Sequence, residues 1–152
     1  MTTVDPATAP TATPATSPAT ARPVTLRARR TRAGWALTGL VGVFLLVDAV
    51  LHLLDVPVVQ EASAVLGLPP GSAVLIGLVE LACLVVHLVP RTAVLGAVLL
   101  TGYLGGAVSA QLRIEAPLLS TLLFPVYVGV LVWVGLWLRD TRVAAALAPP
   151  RR

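Results

Sequence analysis

Four long apolar runs dominate the sequence and decide what the chain can fold into. They cover about 33–54, 72–89, 93–112 and 118–138. An α-helix that crosses the hydrocarbon core of a bilayer needs about 20 residues, with a range of about 17–25, and all four runs fit. Because a helix satisfies its backbone polar groups internally, it can lie in lipid where other structures cannot. The runs therefore predict an all-α integral membrane protein, a four-helix transmembrane bundle.

The charge content points to the same class of protein. Only 12% of the residues are charged and the mean hydropathy is +0.89, whereas about a quarter of the residues of a soluble domain are charged. All eleven basic residues are arginine, and almost all of them lie outside the apolar runs. The net charge of +4 therefore indicates contact with the lipid bilayer, and we expect no nucleic-acid partner.

The placement of the arginines predicts the orientation. Five precede the first run, Arg91 lies between the second and third, and four follow the fourth, whereas Arg113 alone falls on the opposite side. Cytoplasmic segments of membrane proteins carry the excess of Lys and Arg. We therefore expect a multi-pass protein of the cell membrane with both termini in the cytoplasm, the arrangement abbreviated N-in/C-in.

Three regions follow from this pattern. Residues 1–32 form a Thr/Ala/Pro-rich segment that ends in juxtamembrane arginines, and such a composition predicts a disordered tail. The transmembrane domain covers 33–145. Residues 146–152 form a short basic C-terminal tail.

The connection over 55–71 is expected on the outer side. Five apolar residues share one helical arc there, which predicts a short outer interfacial helix, and a loop packed over the bundle is the alternative. The arc comprises Val58, Val59, Ala62, Val65 and Leu66.

Two further features concern helix packing. Gly102 and Gly106 have the spacing at which helices approach closely, and packing inside the bundle is favoured over dimerisation, although a homo-oligomer stays open. Pro125 lies inside the fourth run, where we expect it to kink the helix.

Ionisable side chains are costly in a bilayer and usually face the protein interior. Asp48 and His52 share one face of the first helix, and Glu80 lies at a similar depth on the second. Tyr103 and Tyr127 fall near that level on the third and fourth helices. These five residues are the predicted ligand-binding set, in a polar pocket that opens outward. The alternative is structural: Asp48 and His52 pair along one helix, and a protonated Glu80 bonds to a tyrosine.

Several chemistries are excluded or left without support. The single cysteine, Cys83, excludes a disulfide, a Cys-x-x-Cys pair and a cysteine zinc site. No phosphate-binding glycine loop, His-Glu-x-x-His or nucleophile elbow is present. We therefore predict no metal site, identify no catalytic residue and do not favour an enzyme.

Several stretches resemble the DoxX-like family over about 33–145. They are Phe44-Leu-Leu-Val-Asp48-x-x-x-His52-Leu, Gly77-Leu-Val-Glu80-Leu-Ala-Cys83, Pro90-Arg91-Thr-Ala-Val-Leu-Gly96, Thr101-Gly-Tyr103-Leu-Gly-Gly106-Ala and Trp137-Leu-Arg139-Asp140. The resemblance implies a small four-helix protein of the bacterial inner membrane. It also implies a link to redox chemistry, because the family takes its name from a subunit of thiosulfate:quinone oxidoreductase, and some relatives partner soluble oxidoreductases.

Three functions remain as hypotheses. The leading one is a non-catalytic membrane subunit, or partner, of a redox or stress-related system, with a soluble oxidoreductase as its partner. The second is a small proton-coupled transporter that uses Glu80. The third is a quinone-linked membrane oxidoreductase. No cofactor is assigned, and quinone is the one left open.

Overall fold

A computed structural model describes residues 22–146, with side chains from residue 26 onward. Every element in this part of the chain is helical, which confirms the all-α class. The elements are α1 (Arg22–Leu53), α2 (Pro57–Val65), α3 (Ser72–Leu88), α4 (Ala93–Arg113), a π-helical turn (Leu118–Leu122), α5 (Phe124–Arg139) and α6 (Thr141–Ala146). The predicted tail over residues 1–21 and the predicted C-terminal tail over 147–152 lie outside the described residues.

Three helical segments are long and apolar enough to cross a membrane. They are Leu26–Leu53, Ala93–Arg113 and Leu118–Arg139. Helix α3 is also apolar, but it has 17 residues and stands at the short end of the spanning range. The structure thus supports a membrane protein, and the fourth span remains a prediction.

The four apolar helices pack in a ring. Helix α1 contacts α3 and α5, and α4 contacts the same two helices from the other side. Leu45, Leu100 and Leu136 are almost fully buried between them. Their outward faces are apolar as well, with Leu75 and Leu95 more than half exposed. A helix that is apolar on all sides suits a bilayer rather than water.

Helix α1 starts earlier than the sequence analysis predicts. It begins at Arg22, so the arginine-rich segment 22–32, which we assigned to the tail, is helical. Arginine, leucine and alanine are among the best helix formers. The apolar run therefore predicts the part of α1 that suits a bilayer but not the residue at which the helix begins.

Pro125 does not kink the fourth run in mid-helix. It lies in the first turn of α5 and follows the π-helical turn Leu118–Leu122. In the first turn of a helix the backbone N–H has no intrahelical acceptor, so proline costs nothing there. The fourth run is thus two successive helical pieces, with the change just before Pro125.

Close helix contacts use glycines other than those we predicted. A Cβ atom on Gly77 would lie 2.8 Å from the Cβ of His52, and one on Gly96 would overlap the backbone of His87. Nothing lies within 4 Å of such an atom on Gly102 or Gly106. The packing role predicted for these two is wrong, because the space beside them is left open.

Arginine and tryptophan side chains meet at one end of the ring. The guanidinium of Arg30 lies 4.2 Å from the Trp137 ring centre, and that of Arg139 lies 4.5 Å from Trp35. Arg139 also donates a hydrogen bond to the His87 carbonyl, at 3.0 Å. The start of the apolar part of α1 and the ends of α3 and α5 therefore lie together.

Candidate functional site

Glu80 is the centre of a polar cluster inside the ring. It lies midway along α3 and is 0% exposed. The hydroxyl of Tyr103, midway along α4, donates a hydrogen bond to its Oε2 at 3.0 Å. The other oxygen, Oε1, is buried and has no hydrogen-bond partner among the described residues. Because buried polar atoms are nearly always paired, Oε1 requires an explanation.

Asp48 and His52 approach Glu80 from α1. His52 Nδ1 lies 2.9 Å from the backbone carbonyl of Asp48 and 3.7 Å from its Oδ2. A carbonyl only accepts, so Nδ1 carries the proton in this bond and Nε2 keeps its lone pair. One ring nitrogen of His52 and one carboxylate oxygen from each of Asp48 and Glu80 lie within 4.8 Å of one another.

The close packing of α1 on α3 brings these three residues together. Gly77 precedes Glu80 by three residues, so both lie on the same face of α3. The backbone of Gly77 fits against Ala49 and His52, where a Cβ would lie 2.9 Å from the Ala49 carbonyl oxygen. The missing side chain at Gly77 thus lets α3 present Glu80 directly to α1.

A large cavity adjoins the cluster. Its volume is about 730 Å³, and it is lined by residues of α1, α2, α3 and α4 and of the segment after α2. Its polar lining consists of Asp48, His52, Ser63, Tyr103 and Gln111; the rest is apolar or glycine, including Val58, Val59, Ala62, Leu66, Ile76, Gly102, Gly106 and Ala110. Glu80 lies behind Asp48 and Tyr103 and does not line the cavity.

The cavity reaches the protein surface between α2 and α4. Val58 on its rim is 62% exposed, and Gly102 and Gly106 are also exposed. The two glycines leave the side of α4 flat, and Val58, Val59 and Ala62 of α2 line the same cavity. The space is therefore open along α4, over a part of the helix that is apolar.

The structure brings four of the five predicted site residues together. Asp48, His52, Glu80 and Tyr103 form the cluster, whereas Tyr127 on α5 is 45% exposed and does not line the cavity. Residues of similar depth can lie on different faces of the bundle, and depth was the only ground for including Tyr127. Helix α5 contributes no residue to this cavity.

Residues outside the five-residue predicted set also line the cavity, and they come mainly from α2 and the end of α4. Four of the five residues in the predicted apolar arc line the cavity: Val58, Val59, Ala62 and Leu66. The arc was the available signal, but an apolar face fits a bilayer surface and a cavity wall equally well. Gln111 gave a weaker signal, as a single amide near the end of an apolar run.

The cluster has an unbalanced charge. The chain contains no lysine, and within residues 26–146 no arginine nitrogen lies within 4.0 Å of Asp48 or Glu80; the one ion-pair contact there is His52 with Asp48. Two carboxylates and one imidazole thus share a largely apolar surrounding. Glu80 is fully buried, so it must be neutral or be balanced by a bound cation, because an uncompensated buried charge is very costly.

The comparison with known proteins gives one result. The model of the DoxX-like family matches residues 36–135, a range that contains α2, α3 and α4 and every residue of the cluster. Neither a curated protein nor a solved structure matches the chain.

Proposed function

Because this chain belongs to the DoxX-like family, we propose that it is a membrane subunit that binds an amphipathic small molecule of the quinone type in the α2–α4 cavity. In this proposal the protein lies in the bacterial inner membrane, with four spans, α2 on the outer face and both termini in the cytoplasm. It serves a redox or stress-related system with a soluble oxidoreductase as its partner. The protein itself is not the catalyst.

The observation that carries the proposal is the make-up of the cavity. Small-molecule sites are concave, measure about 300–1,000 Å³ and combine a mostly apolar lining with a few convergent polar groups. The cavity of about 730 Å³ has this form. Three of its polar groups, Asp48, His52 and Tyr103, belong to the Glu80 cluster, so an occupant with one polar end would be held in a defined orientation.

The polar groups suit a head group that can both accept and donate hydrogen bonds, as the quinone and quinol forms do. Gln111 supplies an amide donor, and the hydroxyl of Tyr103 is already oriented by Glu80. A quinone carbonyl can accept from the Gln111 amide, a reduced quinol can donate to Asp48 or His52, and the apolar ring face can lie against Ile76 and Val58. Since the cavity opens along an apolar part of α4, a lipophilic molecule could enter from the bilayer.

The experiment that tests the proposal fills the cavity. Gly106→Leu adds a side chain at a position where nothing lies within 4 Å of a Cβ, so the fold tolerates it while the cavity shrinks. Gly39→Leu is the matched control, because Gly39 on α1 is also open and does not line the cavity.

Binding is measured by native mass spectrometry and by quenching of tryptophan fluorescence with added menaquinone or ubiquinone. We expect the wild-type protein and Gly39→Leu to bind equally and Gly106→Leu to lose binding by at least about tenfold, because the added methyl groups occupy the ligand's space. Equal binding by Gly106→Leu would exclude this cavity as the site.

The complete burial of Glu80 favours a second candidate, a proton-coupled transporter. A mid-membrane carboxyl is the usual carrier of protons in small transporters, and Asp48 at close range gives the proton a second site. A transporter would release protons on substrate binding, and Glu80→Gln would abolish that release while the fold survives. A quinone-binding subunit would bind its ligand without proton release.

A further inference from the structure

We infer that Asp48, His52 and Glu80 form a binding site for a divalent transition-metal ion in the wall of the cavity. The inference deepens the proposed function. It rests on that function only for the role of the ion, which would lie beside the bound quinone. Three donor atoms from two helices meet there, an imidazole nitrogen and two carboxylate oxygens, all within 4.8 Å of one another. This is a donor set that Zn²⁺ and Mn²⁺ accept.

The unpaired oxygen of Glu80 is an independent indication of a ligand. Glu80 is fully buried, its Oε2 accepts from Tyr103, and its Oε1 has no partner among the described residues. In metal sites a ligating carboxylate is commonly held by a hydrogen bond to its second oxygen. The hydroxyl of Tyr103 already makes that bond, and Oε1 is the atom left for an ion.

His52 is arranged in a similar way. Its Nδ1 donates to the Asp48 carbonyl, which fixes the ring and leaves the other nitrogen basic. Metal-ligating histidines usually donate their second ring N–H to a carbonyl or carboxylate in this manner.

Charge and access also fit an ion. A divalent cation neutralises the two carboxylates, and the described part of the chain offers no arginine near them to do so. Asp48 is 42% exposed in its side chain and lines the cavity, which gives the ion an entry path. Ligands about 2.0–2.2 Å from an ion lie roughly 3–3.6 Å from each other. The donors must therefore move closer together on binding, and Asp48 is the least buried of the three.

The test uses the purified full-length protein, stripped with a chelator, and the metal alone as probe. Zn²⁺ is titrated calorimetrically, and Mn²⁺ binding is followed by electron paramagnetic resonance. We expect one ion per chain in the wild type and loss of affinity by at least about tenfold in Glu80→Gln and in Asp48→Asn. Tyr103→Phe, which removes an outer hydrogen bond, should weaken binding about 10–100-fold.

The matched control is Glu61→Gln, the same substitution at an exposed position of α2 outside the cluster, and it should bind as the wild type does. Asp48→Asn alters a partly exposed side chain, so it tests the site even if Glu80→Gln fails to fold. No saturable binding of either ion to the wild type, or unchanged affinity in Asp48→Asn, would overturn the inference.

The outcome separates this inference from the proposed function. Gly106→Leu fills the cavity without touching the three donors, so it should lose quinone and keep Zn²⁺. If the wild type binds Zn²⁺ at these residues but no quinone, the metal site stands and the proposed function is wrong. If it binds quinone but no ion, the proposed function stands and the metal site is wrong.

Discussion

At the scale of single residues, the hydrogen bond between Tyr103 and Glu80 is the contact that orders the site. The two tyrosines of the chain provide a matched comparison, since Tyr103 donates to a buried carboxyl and Tyr127 is 45% exposed with no side-chain hydrogen bond in the described structure. Tyr103→Phe leaves both oxygens of Glu80 without a partner. The cost of a lost bond to a buried polar group is about 1–3 kcal/mol.

We therefore expect Tyr103→Phe to lower the free energy of unfolding by about 1–3 kcal/mol and Tyr127→Phe to change it by less than about 0.5 kcal/mol. Reversible unfolding in detergent, followed by circular dichroism, measures both. Equal effects of the two substitutions would mean that the Tyr103 bond contributes nothing.

The residues of the cluster could be predicted from the sequence, but which residues of the other helices lie beside them could not. Asp48, His52 and Glu80 stand out because charged residues are rare in apolar runs, and the helical repeat puts the first two on one face. For the fourth run, which contains no ionised side chain, the sequence carries no comparable signal for the rotation of the helix about its axis. Tyr127 was included because of its depth alone, and its side chain lies on another face of the bundle. His87 is a further case: it lies near the end of an apolar run, yet it is 3% exposed, and its Nδ1 lies 3.0 Å from the Ala93 carbonyl.

At the scale of elements, the turn between α3 and α4 depends on one glycine. A Cβ on Gly96 would overlap the backbone of His87, and backbone cannot move aside as a flexible side chain can. Gly39 is again the control, because the same added methyl group meets nothing within 4 Å there.

We expect Gly96→Ala to destabilise the protein by about 1–3 kcal/mol, the usual cost of overpacking. Gly39→Ala should be neutral or stabilising by up to about 1 kcal/mol, because alanine is the better helix former. The midpoint of thermal unfolding in detergent compares them. A Gly96→Ala protein as stable as the wild type would show that α3 and α4 can separate without cost.

The elements themselves were largely predictable, because hydrophobic length and the Pro90–Arg91 break are both visible in the sequence. The predicted bounds of the second and third apolar runs differ from those of α3 and α4 by one residue at most. The start of α1 was misplaced because a helix can continue into water beyond the apolar run. The role of Gly102 and Gly106 was misassigned because a small residue permits close contact without requiring it, and here the space serves the cavity.

At the scale of the whole molecule, the number of membrane crossings and the side of the C-terminus are linked. Crossings by α1, α4 and α5 alone would put the two ends of the chain on opposite sides. A fourth crossing by α3 puts them on the same side. Arg139 at the end of α5 contacts both Trp35, near the start of the apolar part of α1, and the His87 carbonyl at the end of α3. These contacts favour four crossings, although α3 is only 17 residues long.

Labelling of single cysteines tests this arrangement, with Cys83 replaced by alanine as the background. Val65, at the end of α2, and Thr141, after α5, are both exposed and lie toward opposite ends of the ring. We expect a membrane-impermeant maleimide to label Val65→Cys in intact spheroplasts and Thr141→Cys only after permeabilisation, as the excess of arginine at the Thr141 end predicts. Labelling of both sites from outside would mean three crossings. Labelling of Thr141→Cys alone would mean that the arginine-rich end faces outward and that the positive-inside rule fails for this chain.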